Sequence, residues 1–232
     1  MLDQAFNSAG FQYIPPGFYM NEQIAPTVED VKKQYDTELV RDGDSLRKRA
    51  YMKLYWERAS GDIRLADSQL YFQTHASNHL DGGKPRQFKV MNKTIIDVPV
   101  IQQILSKNMA LVEQYEPLKT EETLTIGLHF IRYLVDERKA SCSSPPWLHR
   151  DDEPLVFIHL IYLADTAIGG DNLIASGKDM QVSHVIRLEN ELETLVLNRN
   201  VYHAVTPLGS RKNIATRDIL LFTVEPAHTQ LA

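Results

Sequence analysis

A single cysteine in 232 residues, Cys142, excludes an intramolecular disulfide and fits a reducing compartment. It stands in the polar run SCSSPP, where a passive loop residue is expected rather than a nucleophile. Positive charge is also scarce. Lys and Arg number 25 against 30 Asp and Glu, for a net charge of -5, and they are scattered rather than striped. That excludes the field a nucleic-acid binder uses to gather phosphates and favours a small-molecule partner. No apolar run approaches a membrane span, and the opening MLDQAFNSAGFQYIPPGFYM lacks the basic head and continuous apolar stretch of a signal peptide. A cytoplasmic location without membrane attachment is the expectation. Internal repeats, low-complexity tracts and flexible linkers are missing too, which leaves no reason to divide the chain.

What remains is ordinary globular composition, 43% hydrophobic and 24% charged, long enough for one domain over 1–232. Residues 1–123 read as a mixed, helix-rich layer. Thr27 and Asp30 form a T-x-x-D start signal ahead of VKKQYDTELV, which predicts a helix after Thr27. Ile101, Ile104, Leu105, Leu111, Val112 and Tyr115 recur at three- and four-residue steps, the face of a second, buried helix. From Leu124 the period shortens. LTIGLHFIRYLV, LVFIHLIYL, VSHVIRL, ETLVL, VYHAV and DILLFTV predict six strands with no long helix between them. Residues 124–232 are therefore expected to form a cupin-like jelly-roll core, giving a mainly β fold with flanking helices.

The chemistry is concentrated in PPWLHRDDEP. His149 and Asp151 stand two residues apart, so on extended chain both project from one face and can reach one ion. A third ligand is available in His203, 52 positions after Asp151 and inside a predicted strand. Two imidazoles and a carboxylate on one face of an octahedral ion leave three positions open, an arrangement suited to Fe(II), O₂ and a chelating cosubstrate. An H-x-D pair alone is weak evidence, since such a pair is more often a surface hydrogen bond. Arg217, 14 positions past His203 at the head of an apolar strand, strengthens it. An inward guanidinium needs an anion, and the distal carboxylate of 2-oxoglutarate would supply one in bidentate form. Pairing of Arg217 with Asp218 at the surface is the rival explanation, made less natural by their opposite strand faces. A jelly-roll binding or isomerase module with a similar metal would have no need of that arginine.

Several segments together resemble a known family. DGGKPRQF (81–88), IGLHFIRY (126–133), SSPPWLHRDDEP (143–154), TAIGGDNLIA (166–175), HAVTPLG and TRDILL are similar to bacterial L-isoleucine dioxygenases, the L-isoleucine 4-hydroxylases and their relatives. The likeness spans most of the chain from Asp81 onward. It implies a double-stranded β-helix, a metal and catalytic triad of His149, Asp151 and His203, and Arg217 as the cosubstrate anchor. It also implies Fe(II), 2-oxoglutarate and O₂ as the reacting set, with hydroxylation of a free aliphatic L-amino acid such as isoleucine or leucine. Related halogenases carry Gly or Ala at the carboxylate position, and Asp151 here favours hydroxylation. Methionine sulfoxidation, and the same chemistry on a carrier-bound or different amino acid, stay open, as does assembly into a homodimer.

An amino-acid substrate needs partners for two charges. Arg86 is the first candidate, following Gly82 and Gly83 in a loop able to close over a ligand, although a solvated turn explains the segment equally well. The resemblance turns His129 and Tyr133 inward, and Trp147 is a candidate pocket wall, with core packing the alternative for each. Strand alternation turns Asp152 away from the metal, and Glu153 precedes Pro154, so neither is expected as a ligand. His159 reads as structural, His75 and His79 as a solvated face, and His184 and His228 as unpartnered. Gly169 and Gly170 suit a turn between strands and not a phosphate loop.

Overall fold

A computed structural model describes residues 2, 4–43, 45–78, 82–136, 139–143, 145–175 and 180–227. His79, His228 and Asp81, weighed above, lie outside the described residues. The chain opens with α1 (Gln4–Ala9), β1 (Phe11–Ile14), α2 (Val28–Glu38), β2 (Val40–Arg41), β3 (Arg47–Glu57) and β4 (Ile63–Leu65), and then α3 (Pro99–Val112). Strands follow: β5 (Thr123–Val135), β6 (Leu155–Leu163), β7 (Ala167–Ile168), β8 (Asn172–Ala175) and β9 (Val182–Ile186). The last four are β10 (Thr194–Asn198), β11 (Tyr202–Val205), β12 (Gly209–Ser210) and β13 (Ala215–Pro226).

One antiparallel sheet runs β1-β10-β6-β13-β5-β3-β2, with β4 beside β3, and smaller sheets β11-β8-β9 and β12-β7 make the second layer. This is the jelly roll expected from the strand pattern. All six predicted strands form, but the helix-rich reading of 1–123 missed four strands of the main sheet, β1 to β4. The signal for β3 was present in RKRAYMKLYWE, where Ala50, Met52, Leu54 and Trp56 alternate with Arg47, Arg49, Tyr51 and Lys53.

That alternation creates two interiors. Leu124, Ile126, Leu128 and Phe130 of β5, with Leu220, Phe222 and Val224 of β13, face the helices and join Val31 and Tyr35 of α2 and Ile101 and Ile104 of α3. Ile131 and Tyr133 of β5, with Ile219 of β13, face the second layer. A slip of one residue would exchange the two sets, so the apolar helix side holds the register of the polar side. Thr27 precedes α2 as predicted, yet its side chain does not cap that helix. Its hydroxyl donates to Ile24 O at 2.7 Å and accepts from Val100 N at 3.1 Å, satisfying a first-turn amide of α3 that Val98 and Pro99 leave without a side-chain cap.

His159 is structural, on the helix side of β6. Thr194 Oγ1 donates to Leu192 O at 3.0 Å and so accepts from His159 Nδ1 at 2.7 Å. Tyr19 occupies Asn108 Oδ1 at 2.7 Å, so the Asn108 amide donates to His159 Nε2 at 2.9 Å. The imidazole is thus held neutral, and burial pulls it down to about 3. Below its ordinary value near 6.5 the unfolded chain takes up a proton that the folded chain refuses. Its stabilising contribution is complete above that value and is lost as pH falls toward 3. Urea melts at pH 7 and pH 5 should therefore show His159→Gln losing about 2 kcal/mol less than wild type between the two. Equal losses would mean that His159 is not the group being protonated.

Candidate active site

Between the layers lies a cavity of about 90 Å³ for the centres of water-sized molecules, several times what one water needs and suited to small molecules. His149, in the connection from β5 to β6, exchanges both backbone hydrogen bonds with His203 of β11, at 3.0 and 2.8 Å. Directly opposed residues of an antiparallel pair point the same way, and the imidazole centroids are 4.4 Å apart. Asp151 follows His149 on the same face, as its spacing predicted. The ligand atoms of all three lie within 4.8 Å of one another.

The donor set fits a metal. His149 Nδ1 donates to Trp147 O at 2.9 Å, which turns Nε2 toward the carboxylate as a free lone pair. His203 Nε2 is 3.0 Å from Asp151 Oδ2, but the geometry is not that of a hydrogen bond and the buried nitrogen has no other partner. Burial opposes the charge on Asp151, and positive charge at the neighbouring imidazoles, His203 first and then His149, is what holds its carboxyl well below the usual carboxylate range; a cation bound to the deprotonated nitrogens would act in the same way. An unused imidazole lone pair beside an ionised carboxylate is what a divalent cation would satisfy. Asp152 faces away, as predicted, and accepts from Thr74 N at 2.6 Å, Thr74 Oγ1 at 2.8 Å and Ser77 Oγ at 2.5 Å. It thereby ties the 71–78 segment to the metal loop.

Arg217 enters the cavity from β13, beside Tyr133 of β5. It is 2% exposed, and its Nη2 has no hydrogen-bond partner. Asp218, the rival partner, is on the other face and takes Arg132 at 2.7 Å. Gly170, at φ +75, supports the Arg217 stem; a Cβ there would stand 3.2 Å from Arg217 Cδ. Gly169 and Gly170, both at positive φ, thus connect β7 to β8, between strands as the sequence suggested.

The other candidates are placed less uniformly. Arg86 lines the cavity and donates through Nη2 to Gln73 Oε1 at 3.0 Å. Its loop folds back on residues 73–78, and a Cβ at Gly82 would meet Thr74 O at 2.2 Å. Tyr133 lines the cavity, whereas His129 lies behind its wall, between Tyr51 and Tyr71. Trp147 needs correction: the residue is 41% exposed, is not part of the cavity lining, and lies on an outer groove with Ala76, Leu148 and Tyr202. What reaches the site is its carbonyl. Sequence reasoning missed Arg47, Arg49, Tyr71, Gln73, Asn78 and Glu153, which also line the cavity. Glu153, rejected as a ligand, instead accepts from Tyr71 OH at 3.2 Å. Burial, with Asp151 nearby, pushes its carboxyl well above the usual range. Ile131, Ile158, Val205, Ile219 and Leu221 complete an aliphatic wall.

Comparison with known proteins agrees with this geometry. The family model for 2OG-Fe dioxygenase matches residues 32–223. An L-isoleucine-4-hydroxylase from Bacillus thuringiensis is 39% identical over 228 residues, covering 97% of this chain and 94% of that protein. A 3(1)-hydroxy-L-isoleucine 4-dioxygenase from Pantoea ananatis (strain AJ13355) is 35% identical over 230 residues, 93% of this chain and 92% of its own length. The crystal structure of IDO from Bacillus thuringiensis superposes with a TM-score of 0.84 at 36% identity, covering 96% of this chain and 92% of that one.

Replacing any one of His149, Asp151 or His203 by Ala should lower succinate formation from 2-oxoglutarate by more than about 100-fold, since even outer partners of a metal ligand cost 10 to 100-fold. Circular dichroism should show the sheet intact. A variant that keeps near-wild-type turnover and Fe(II) affinity would lose its place in the triad.

Proposed function

The chain belongs to the 2OG-Fe dioxygenase family, and we propose that within it this protein hydroxylates a free aliphatic L-amino acid, isoleucine, leucine or one similar. When bound, Fe(II), 2-oxoglutarate and O₂ supply the oxidising chemistry, with decarboxylation of 2-oxoglutarate to succinate and CO₂. His149, Asp151 and His203 would hold the metal by one face and leave the other open to cosubstrate and oxygen. The orphaned Nη2 of Arg217 would take the distal carboxylate of 2-oxoglutarate.

The observation that carries the substrate reading is the union, in one cavity, of an aliphatic wall and buried arginines. Ile131, Ile158, Ile219 and Leu221 offer a branched hydrocarbon chain a dry surface, and a side chain held there faces the metal ligands. Exclusion of water from that wall keeps the oxidising chemistry on the substrate. Two relatives whose names specify isoleucine or its hydroxylated form support the same reading. One extra or missing methylene changes binding in such a pocket by only about 1 to 3 kcal/mol, so several aliphatic amino acids should be accepted. A cytoplasmic site of action accords with the lone exposed cysteine, Cys142. Of the strands after 124, β5, β6, β10 and β13 share one sheet with β1 to β4, which supports reading 1–232 as one domain.

A mass-spectrometric screen of free amino acids with Fe(II), ascorbate and 2-oxoglutarate should give an aliphatic product one oxygen atom heavier, with matching succinate. Oxidation confined to carrier-bound substrates, or to none of the free amino acids, would overturn the reading. Arg217→Lys keeps the charge and loses the planar fork, so the KM for 2-oxoglutarate should rise at least about tenfold while that for the amino acid moves less than about threefold. An unchanged KM for 2-oxoglutarate would make Arg217 a structural residue only.

A further inference from the structure

The cavity contains a second buried cation that the cosubstrate does not explain. Arg49 of β3 is 8% exposed, and its Nε has no hydrogen-bond partner. Its Nη2 meets His129 Nδ1 at 2.6 Å. His129 balances none of that charge, being an imidazole that burial and then Arg49 itself hold far below the ordinary range and so in its neutral form. It therefore accepts through Nδ1. Burial also pulls Arg49 down to about 10, which leaves the guanidinium charged at neutral pH. Its group lies 4.0 Å from the centroid of Phe88 and 5.8 Å from that of Tyr71, so one planar face is packed while donors remain unused.

The neighbouring arginines differ. Arg47 donates through Nε to Asp42 Oδ2 at 2.8 Å, and Arg86 is engaged by Gln73. Arg217 is on β13 beside Tyr133, whereas Arg49 is opposite Ile131 on the far side of β5. Two buried guanidiniums without an acidic partner among the described residues, on different strands of one cavity, ask for two carboxylates. The distal end of 2-oxoglutarate accounts for one, and its other carboxylate belongs at the metal.

We propose that Arg49 is the receptor for the α-carboxylate of the amino-acid substrate, held in place by His129 and by the rings of Tyr71 and Phe88. This rests on the free amino-acid reading above and moves the α-carboxylate from Arg86, where the sequence suggested it, to a deeper residue. Arg86 shares the same two rings, at 4.9 and 5.5 Å, and stands beside Arg49 as a second donor. Glu153, joined to Tyr71 through its hydroxyl, marks the side on which the α-ammonium fits. His129 acts through Arg49 and is a positioning residue. The assignment restricts the substrate to a free carboxylate, because an amide or carrier thioester leaves the buried guanidinium without its anion.

Anaerobic calorimetric titration of the Fe(II)- and 2-oxoglutarate-loaded protein tests this. Wild type should bind L-isoleucine at least about 100-fold tighter than L-isoleucinamide. Arg49→Met should lose at least about 100-fold in isoleucine affinity while 2-oxoglutarate affinity changes less than about threefold. Its thermal midpoint without ligands should be no lower than that of wild type, since an apolar side chain replaces an unpaired buried charge. Should that variant not fold, Arg49→Lys and the acid-versus-amide comparison on wild type carry the same expectation. Isoleucine affinity within threefold of wild type in either folded variant, or equal binding of acid and amide, overturns the assignment. If the wild type binds and hydroxylates no free amino acid, the substrate reading falls and this assignment falls with it. Normal isoleucine binding by Arg49→Met in an enzyme that hydroxylates isoleucine sinks only the role of Arg49.

Discussion

Two backbone hydrogen bonds, between His149 and His203, decide where the interior chemistry stands. They join the irregular β5–β6 connection to a strand of the second layer, and an antiparallel pair of this kind leaves no choice about side-chain direction. Both imidazoles must face the main sheet. Asp151, two residues on, must do the same, and Asp152 must turn outward, where Thr74 and Ser77 take it. One strand-like contact thus fixes three ligands and anchors the segment that supplies Tyr71, Gln73 and Asn78.

The interior facing those ligands is poor as a core. Arg49, Arg217 and Glu153 are buried there, and unpartnered polar atoms remain on Arg49, His129, His203 and Arg217. Each buried donor or acceptor left unsatisfied costs about 1 to 3 kcal/mol, and charged groups cost more. The structure bears this because the opposite face of the same strands is packed in another way. Phe130, Phe157 and Phe222, each fully buried, sit with the apolar faces of α2 and α3. Stability comes from the helix side and specificity from the side between the layers. The cavity is complete only when cation and anions occupy it.

The arginines divide the cavity by charge. Arg217 and Arg49 are separated by the width of β5, and the aliphatic residues that line the same cavity come from β5, β6 and β13. A diacid at one end and an amino acid at the other would each find a guanidinium, with hydrocarbon between. The metal ligands look onto this space from the second layer. Arrangement across three strands of a rigid sheet favours orientation over mobility, since strand positions are set by ladders on both sides.

The sequence by itself determined the strands after Leu124, the two longer helices and the three residues that come together as candidate metal ligands. Period-2 runs after Leu124, the i, i+2 spacing of His149 and Asp151, and the opposite faces of Arg217 and Asp218 are local properties of a chain whose strand geometry is constant. Only the tertiary structure decided which distant residues complete the cavity. Arg49 lies 100 positions before His149 in a segment whose alternation was legible but whose place beside β5 was not. Trp147 looked like a wall because of its neighbour, yet it lies on an outer groove and its carbonyl matters. Thr27 announced one helix and caps another. Pairing across sheets and packing between layers depend on contacts far apart in the chain, and no local period encodes them.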